Sequence, residues 1–181
     1  MNIPAFREMG IQVIFYTDSH DRDTQLYQFI SRQLITHCGV LFTDIETGER
    51  WIHLLNRKRG SRFVSWDKFE NILKIYHPEV HKHMKFIDLG KAPVSLAQMA
   101  MVDERRVKLS SFIENIFYWA IGRHFSGSYV PITCAYITSR VLNMCGYTNK
   151  RHVVPHTLYK ELNNGVDNYF WTSEGGEDSS G

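Results

Sequence analysis

Two periodicities divide the chain. Residues 11–17 (IQVIFYT) are β-branched and aromatic on both alternating sets, which predicts a strand buried on both faces. Thr36 to Phe42 predicts a second strand, with His37, Gly39 and Leu41 on one face and Cys38, Val40 and Phe42 on the other. Asp44 to Glu49 is rich in turn formers, and Arg50 to Leu55 follows as a third strand with Trp51, His53 and Leu55 on one face. The two strands read as a hairpin. For His37 and His53 to point the same way, the connection must be a longer loop or contain a bulge. Met84 to Leu89 predicts a further strand.

Elsewhere the spacing is helical. Leu26, Phe29, Ile30 and Leu34 predict a helix over 24–34, and Trp66, Phe69, Ile72, Leu73 and Tyr76 predict one over 66–76, capped by Ser65. Pro93 to Met101 fits a short helix from Ser95. Residues 108–124 carry a broad apolar stripe (Leu109, Phe112, Ile113, Ile116, Phe117) that reads as core. Thr133 is a hydroxyl N-cap opening an amphipathic helix that ends near Gly146, and Pro155 opens a last short helix. The end, SEGGEDSSG, has the composition of a loose tail.

Composition narrows this picture. At 181 residues the simplest division is one domain over 1–162, with 56–125 as an insertion and 163–181 as a C-terminal tail. Twenty-one basic against 19 acidic residues leave a net charge of +2, which gives no electrostatic case for nucleic acid or an anionic membrane. No apolar run reaches the roughly 18 residues that a transmembrane segment needs. The first residues lack the basic start, apolar core and cleavage site of a signal peptide, so the expectation is a cytoplasmic protein. Three cysteines at irregular spacing make no disulfide framework and fit a reducing compartment.

The candidate chemistry begins at Cys134. In the first helical position a thiol faces unpaired backbone N–H groups and the positive end of the helix dipole, which favour the thiolate. Alone, such a residue reads as a small buried apolar side chain. Nucleophilic cysteine chemistry also needs an imidazole to take the proton, a group that orients the imidazole, and donors for the oxyanion. His37 and His53 on neighbouring strands are the candidates for base and orienting group. Cys38 and Cys145 read as core or near-core. His77, His81 and His83 suggest zinc or copper, but their spacing matches no site type and the stretch reads as a polar loop. The basic run from Asn56 to Arg62 reads as a solvated hairpin tip.

At these residues the sequence resembles the circularly permuted branch of the papain-like, NlpC-type hydrolases, which includes the lecithin:retinol acyltransferase-like proteins. The histidine strand of that branch is matched by Thr36-His37-Cys38-Gly39-Val40, its second histidine by Ile52-His53-Leu54, and its cysteine helix by Thr133-Cys134 through Leu142. The interval between His37 and His53 is longer than in the acyltransferase-like proteins, and Asn56 to Phe125 has no counterpart.

The resemblance implies an α+β, permuted papain-like fold: a small antiparallel sheet packed on a helix that begins at the cysteine, with a helical insertion. It implies a cysteine-dependent hydrolase or acyltransferase that cleaves an amide or ester, for instance a cell-wall peptide or protein amide, through a thioester. Cys134 would be nucleophile, His37 base and His53 its orienting group, with no cofactor or metal. The competing expectation is a non-catalytic structural or interaction protein, such as a bacteriophage or bacterial accessory component, with a protein partner in place of a substrate.

Overall fold

The computed structural model describes residues 6–17, 35–56, 60–95, 133–148 and 155–172. The helices expected at 24–34 and 108–124, the hairpin tip at 57–59, most of the stretch from Pro93 to Met101, and the tail from 173 lie outside the described residues.

Strands β1 (Arg7–Tyr16), β2 (His37–Asp44), β3 (Arg50–Asn56), β4 (Gly60–Ser65) and β5 (Lys85–Val94) form one sheet in the order β4-β3-β2-β1-β5. Every pairing in it is antiparallel. Helices α1 (Trp66–Tyr76) and α2 (Pro78–Lys82) lie between β4 and β5, and α3 (Cys134–Met144) and α4 (Pro155–Thr172) follow.

The sheet is covered on both faces, which is why residues 11–17 lack a polar side. Met9, Ile11, Val13 and Phe15 of β1 point toward α3 and α4, where they meet Val40 and Phe42 of β2, Ile137 and Val141 of α3 and Leu158 of α4. The alternate residue Ile14 joins Leu41, Ile52 and Trp66 on the face that α1 covers. Each fully buried aliphatic or aromatic side chain contributes about 1.5–3 kcal/mol.

Asp44 fixes the register of the β2–β3 hairpin. Its buried carboxylate accepts from the backbone N–H groups of Glu46 (2.9 Å) and Thr47 (3.1 Å) and from Arg7 (2.8 Å). The Arg7 bond, followed by the backbone bonds, holds this carboxyl below its ordinary range. Gly48 closes the turn at φ 72°, a left-handed conformation that favours glycine. The loop is the longer one that the sequence calls for, but it pairs Thr43 with Arg50 and so sets Val40 opposite His53.

The expected architecture needs correction. The chain has an α+β fold with a five-stranded antiparallel sheet and several helices, and a cysteine, Cys38, lies within strand β2 and not at a helix start. Nor is 56–125 simply a helical insertion, because β4 and β5 are the two edge strands of the sheet. The basic run hides the start of β4: Arg62 belongs to a strand whose Phe63 packs inward. In β5, Ile87 and Leu89 face the core while Phe86 and Asp88 are exposed, the alternation of a half-buried edge. The last helix runs 18 residues and is not short. Residues 78–82, read as a polar loop, form a single short helix started by Pro78. Among the described residues no helix is long and apolar enough to cross a membrane.

Candidate active site

Thr133 starts α3 as its sequence suggests. With extended backbone (φ −122°, ψ 167°), its hydroxyl accepts from the Tyr136 N–H at 3.0 Å, and its carbonyl takes the first helical bond from Ile137 at 3.0 Å. Cys134 is therefore the first helical residue, and no helical carbonyl takes its N–H or that of Ala135. No acidic residue occupies the first turn to oppose the helix dipole.

The apolar face of α3 lies on β2, and this docking brings Cys134 to the start of that strand. The Sγ of the half-buried residue Cys134 is 3.7 Å from the Thr36 carbonyl oxygen, to which the neutral thiol donates. The Cys38 thiol and the His37 side chain lie beside it. Cys38 Sγ lies 3.5 Å from Thr138 Oγ1, one helical turn beyond Cys134.

The two thiols stand in opposite environments. The Cys38 hydrogen bond, followed by that from His37, the His37 charge and the Cys38 backbone N–H, holds Cys134 well below the ordinary thiol range despite the opposing effect of burial. Burial, reinforced by the Cys134 thiolate, pushes Cys38 well above it. Of the two thiols, Cys134, at the helix N-terminus and beside the imidazole, is the one biased toward ionisation.

His37 is the first residue of β2 and pairs with Tyr16, on whose ring it stacks at 5.3 Å and 20°. It follows Thr36, whose carbonyl the Cys134 thiol approaches, so the end of the strand sets the imidazole beside Cys134.

His53 is placed differently from the expectation. The register puts it on the sheet face of Val40 and Cys38, whereas the alternation of β2 assigns His37 to the other face. It is 1 % exposed, its Nε2 is 2.7 Å from Ser61 Oγ, and its ring lies 4.8 Å from that of Phe63. Its Nδ1 is buried with no hydrogen-bond partner among the described residues. Burial pulls its pKa down to about 4, so it is neutral at physiological pH. The structure brings Cys134 and His37 together and leaves His53 bonded to Ser61.

Two contributors were not singled out from sequence, Cys38 as a thiol partner and Tyr16 as a stacking surface. Cys38 carried one readable signal, its place on the period-2 face with Val40 and Phe42. Nothing local shows that this face meets the first turn of a helix nearly a hundred residues later. Cys145 caps the far end of α3, and burial pushes its thiol up to about 12. His81 faces Glu70 at 3.4 Å and His83 faces Glu79 at 3.6 Å. Among the described residues no group of three His, Cys, Asp or Glu side chains is placed to hold a metal ion. A depression of about 410 Å³ lined by Thr47, Trp51 and Asp67 lies at the opposite end of β2 from His37.

No protein-family model and no curated protein matches the chain.

Proposed function

We propose that the chain is a cysteine-dependent hydrolase or acyltransferase acting on an amide or ester. The observation that carries this reading is the Cys134 thiol at a helix N-terminus, beside His37 and biased toward its thiolate form. The Cys134 sulfur attacks the carbonyl carbon, and the first-turn N–H groups of α3 meet the oxyanion. His37 holds the thiol proton and delivers it to the leaving amine or alcohol, which leaves a thioester on Cys134. Water or an acceptor nucleophile, deprotonated by His37, then releases the acyl group. Tyr16, stacked on His37, takes the orienting part that the sequence assigned to His53.

The test is iodoacetamide alkylation over a pH series, followed cysteine by cysteine by peptide mass, on the native protein and on His37→Ala. An ordinary thiol with a pKa of about 8.5 is only about 3 % thiolate at pH 7, so full ionisation raises its rate by up to about thirtyfold. The lower basicity of the thiolate takes back part of that gain. The expected result is Cys134 reacting roughly tenfold faster at pH 7 than a free small thiol, with the advantage lost in His37→Ala. A Cys134 no faster than a free thiol would favour the competing reading, a non-catalytic structural or interaction protein.

A further inference from the structure

The site holds a second thiol that acyl transfer does not use. Cys38 is 2 % exposed and pinned between strand and helix, 3.5 Å from Thr138 Oγ1 and beside Cys134. Cys134 and Thr138 stand four residues apart on α3, so they share the helix face that Cys38 touches. The Cys134 sulfur in turn lies 3.7 Å from the carbonyl of Thr36, two residues before Cys38. These contacts bring the two sulfurs to the same junction of strand and helix, Cys134 in a half-buried residue and Cys38 in a buried one. Cys145 is eleven residues along the helix from Cys134, about 16 Å by helical rise, and takes no part.

We propose that Cys134 and Cys38 form a reversible disulfide, in which a hydroperoxide oxidises Cys134 and Cys38 resolves the product, withdrawing the nucleophile under oxidising conditions. The Cys134 thiolate attacks the peroxide; an S–O bond forms, the O–O bond breaks, and the departing oxygen takes a proton to leave as alcohol or water. The Cys38 sulfur then attacks the Cys134 sulfenic acid; the S–S bond forms, the S–O bond breaks, and the oxygen leaves as water with the Cys38 proton. Two thiols give two electrons to one peroxide. An external thiol reductant reverses the step by exchange at the Cys134 sulfur. The pairing rests on the contacts of the two thiols with Thr138 and Thr36; its effect on turnover rests on the hydrolase reading.

The experiment treats the reduced full chain with one equivalent of hydrogen peroxide and maps peptides without reductant. The expected product links the Cys38 and Cys134 peptides, two hydrogens lighter than their sum, leaves Cys145 free, and reverts with dithiothreitol. Alkylation of Cys134 falls by about tenfold or more while the link is present and returns on reduction. In Cys38→Ala and Cys38→Ser, checked for a native melting transition, Cys134 stops as a sulfenic acid that dimedone traps and then proceeds to sulfinic acid. Dimedone-trapped or over-oxidised Cys134 in the native chain with no link, or a link through Cys145, would overturn the proposal. Fast His37-dependent alkylation without the link overturns this inference alone. A link without fast alkylation counts against the hydrolase reading alone.

Discussion

Gly39 lies between the site residue Cys38 and the core residue Val40, and it shows how the strand constrains the site. A Cβ built on Gly39 would stand 2.8 Å from the carbonyl oxygen of His53, with Ile52 Cδ1 at 3.5 Å. Ordinary contact begins near 3.4 Å, and the obstructing atom is the backbone of the adjacent strand, which cannot rotate aside. Gly39→Ala therefore forces β2 and β3 apart or twists Gly39 out of the pleat. Overpacking of this kind costs about 1–3 kcal/mol. The reduced freedom of the unfolded chain returns about 0.4–1 kcal/mol. The net of roughly 1–2 kcal/mol corresponds to a melting temperature lower by about 2–8 °C in a chain of this size.

Gly10→Ala is the matched control. Its Cβ would meet its nearest neighbours, among them Ile45 and Thr43, at 3.7 Å, an ordinary contact, so it receives the unfolded-state gain with no clash. Calorimetric melting of both variants should show Gly39→Ala below the native protein and Gly10→Ala at or above it. Alkylation of Cys134 in Gly39→Ala, measured where it is fully folded, should also slow as Cys38 is displaced. Equal melting temperatures for the two variants would refute the close approach of the strands as the reason for a glycine at 39.

The remaining predictions concern the helix start and the buried histidine. Thr133→Ala removes the side-chain acceptor of the Tyr136 N–H and should lower stability by about 1 kcal/mol, with slower Cys134 alkylation at pH 7. Thr133→Ser, which keeps the acceptor, should restore both properties. His53, held neutral with its pKa pulled from the ordinary 6.5 to about 4, stabilises the fold fully above about pH 6.5, because below that the unfolded chain takes the proton first. Stability should fall by about 3 kcal/mol as the pH drops from about 6.5 to about 4. His53→Gln should flatten this slope in denaturant titrations across that range, and an unchanged slope would count against a buried neutral imidazole.

Much of this site was legible along the chain, because its local parts follow local rules. Thr133 before an amphipathic run marks a helix start, and alternation in Thr36 to Phe42 and Arg50 to Leu55 marks two strands and their faces. The turn formers between them mark a hairpin. What misled the reading was composition: Arg57 to Arg59 and Arg62 suggested a solvated tip throughout, and the histidines from 77 to 83 a loop. Strand β4 begins at Gly60, whose φ of 76° follows the basic residues, and Phe63 commits it to the core face.

Register, by contrast, is a property of two strands together. Asp44 gathers Arg7 and two turn N–H groups, the turn pairs Thr43 with Arg50, and His53 is thereby carried to the face where Ser61 receives it. A shift of one residue would have turned it to the other face. The sequence by itself determined that a helix begins at Cys134 and that strands bear His37, Cys38 and His53. Only the tertiary structure decided which of them meet, because packing α3 on β2 joins residues some hundred positions apart that no local pattern connects.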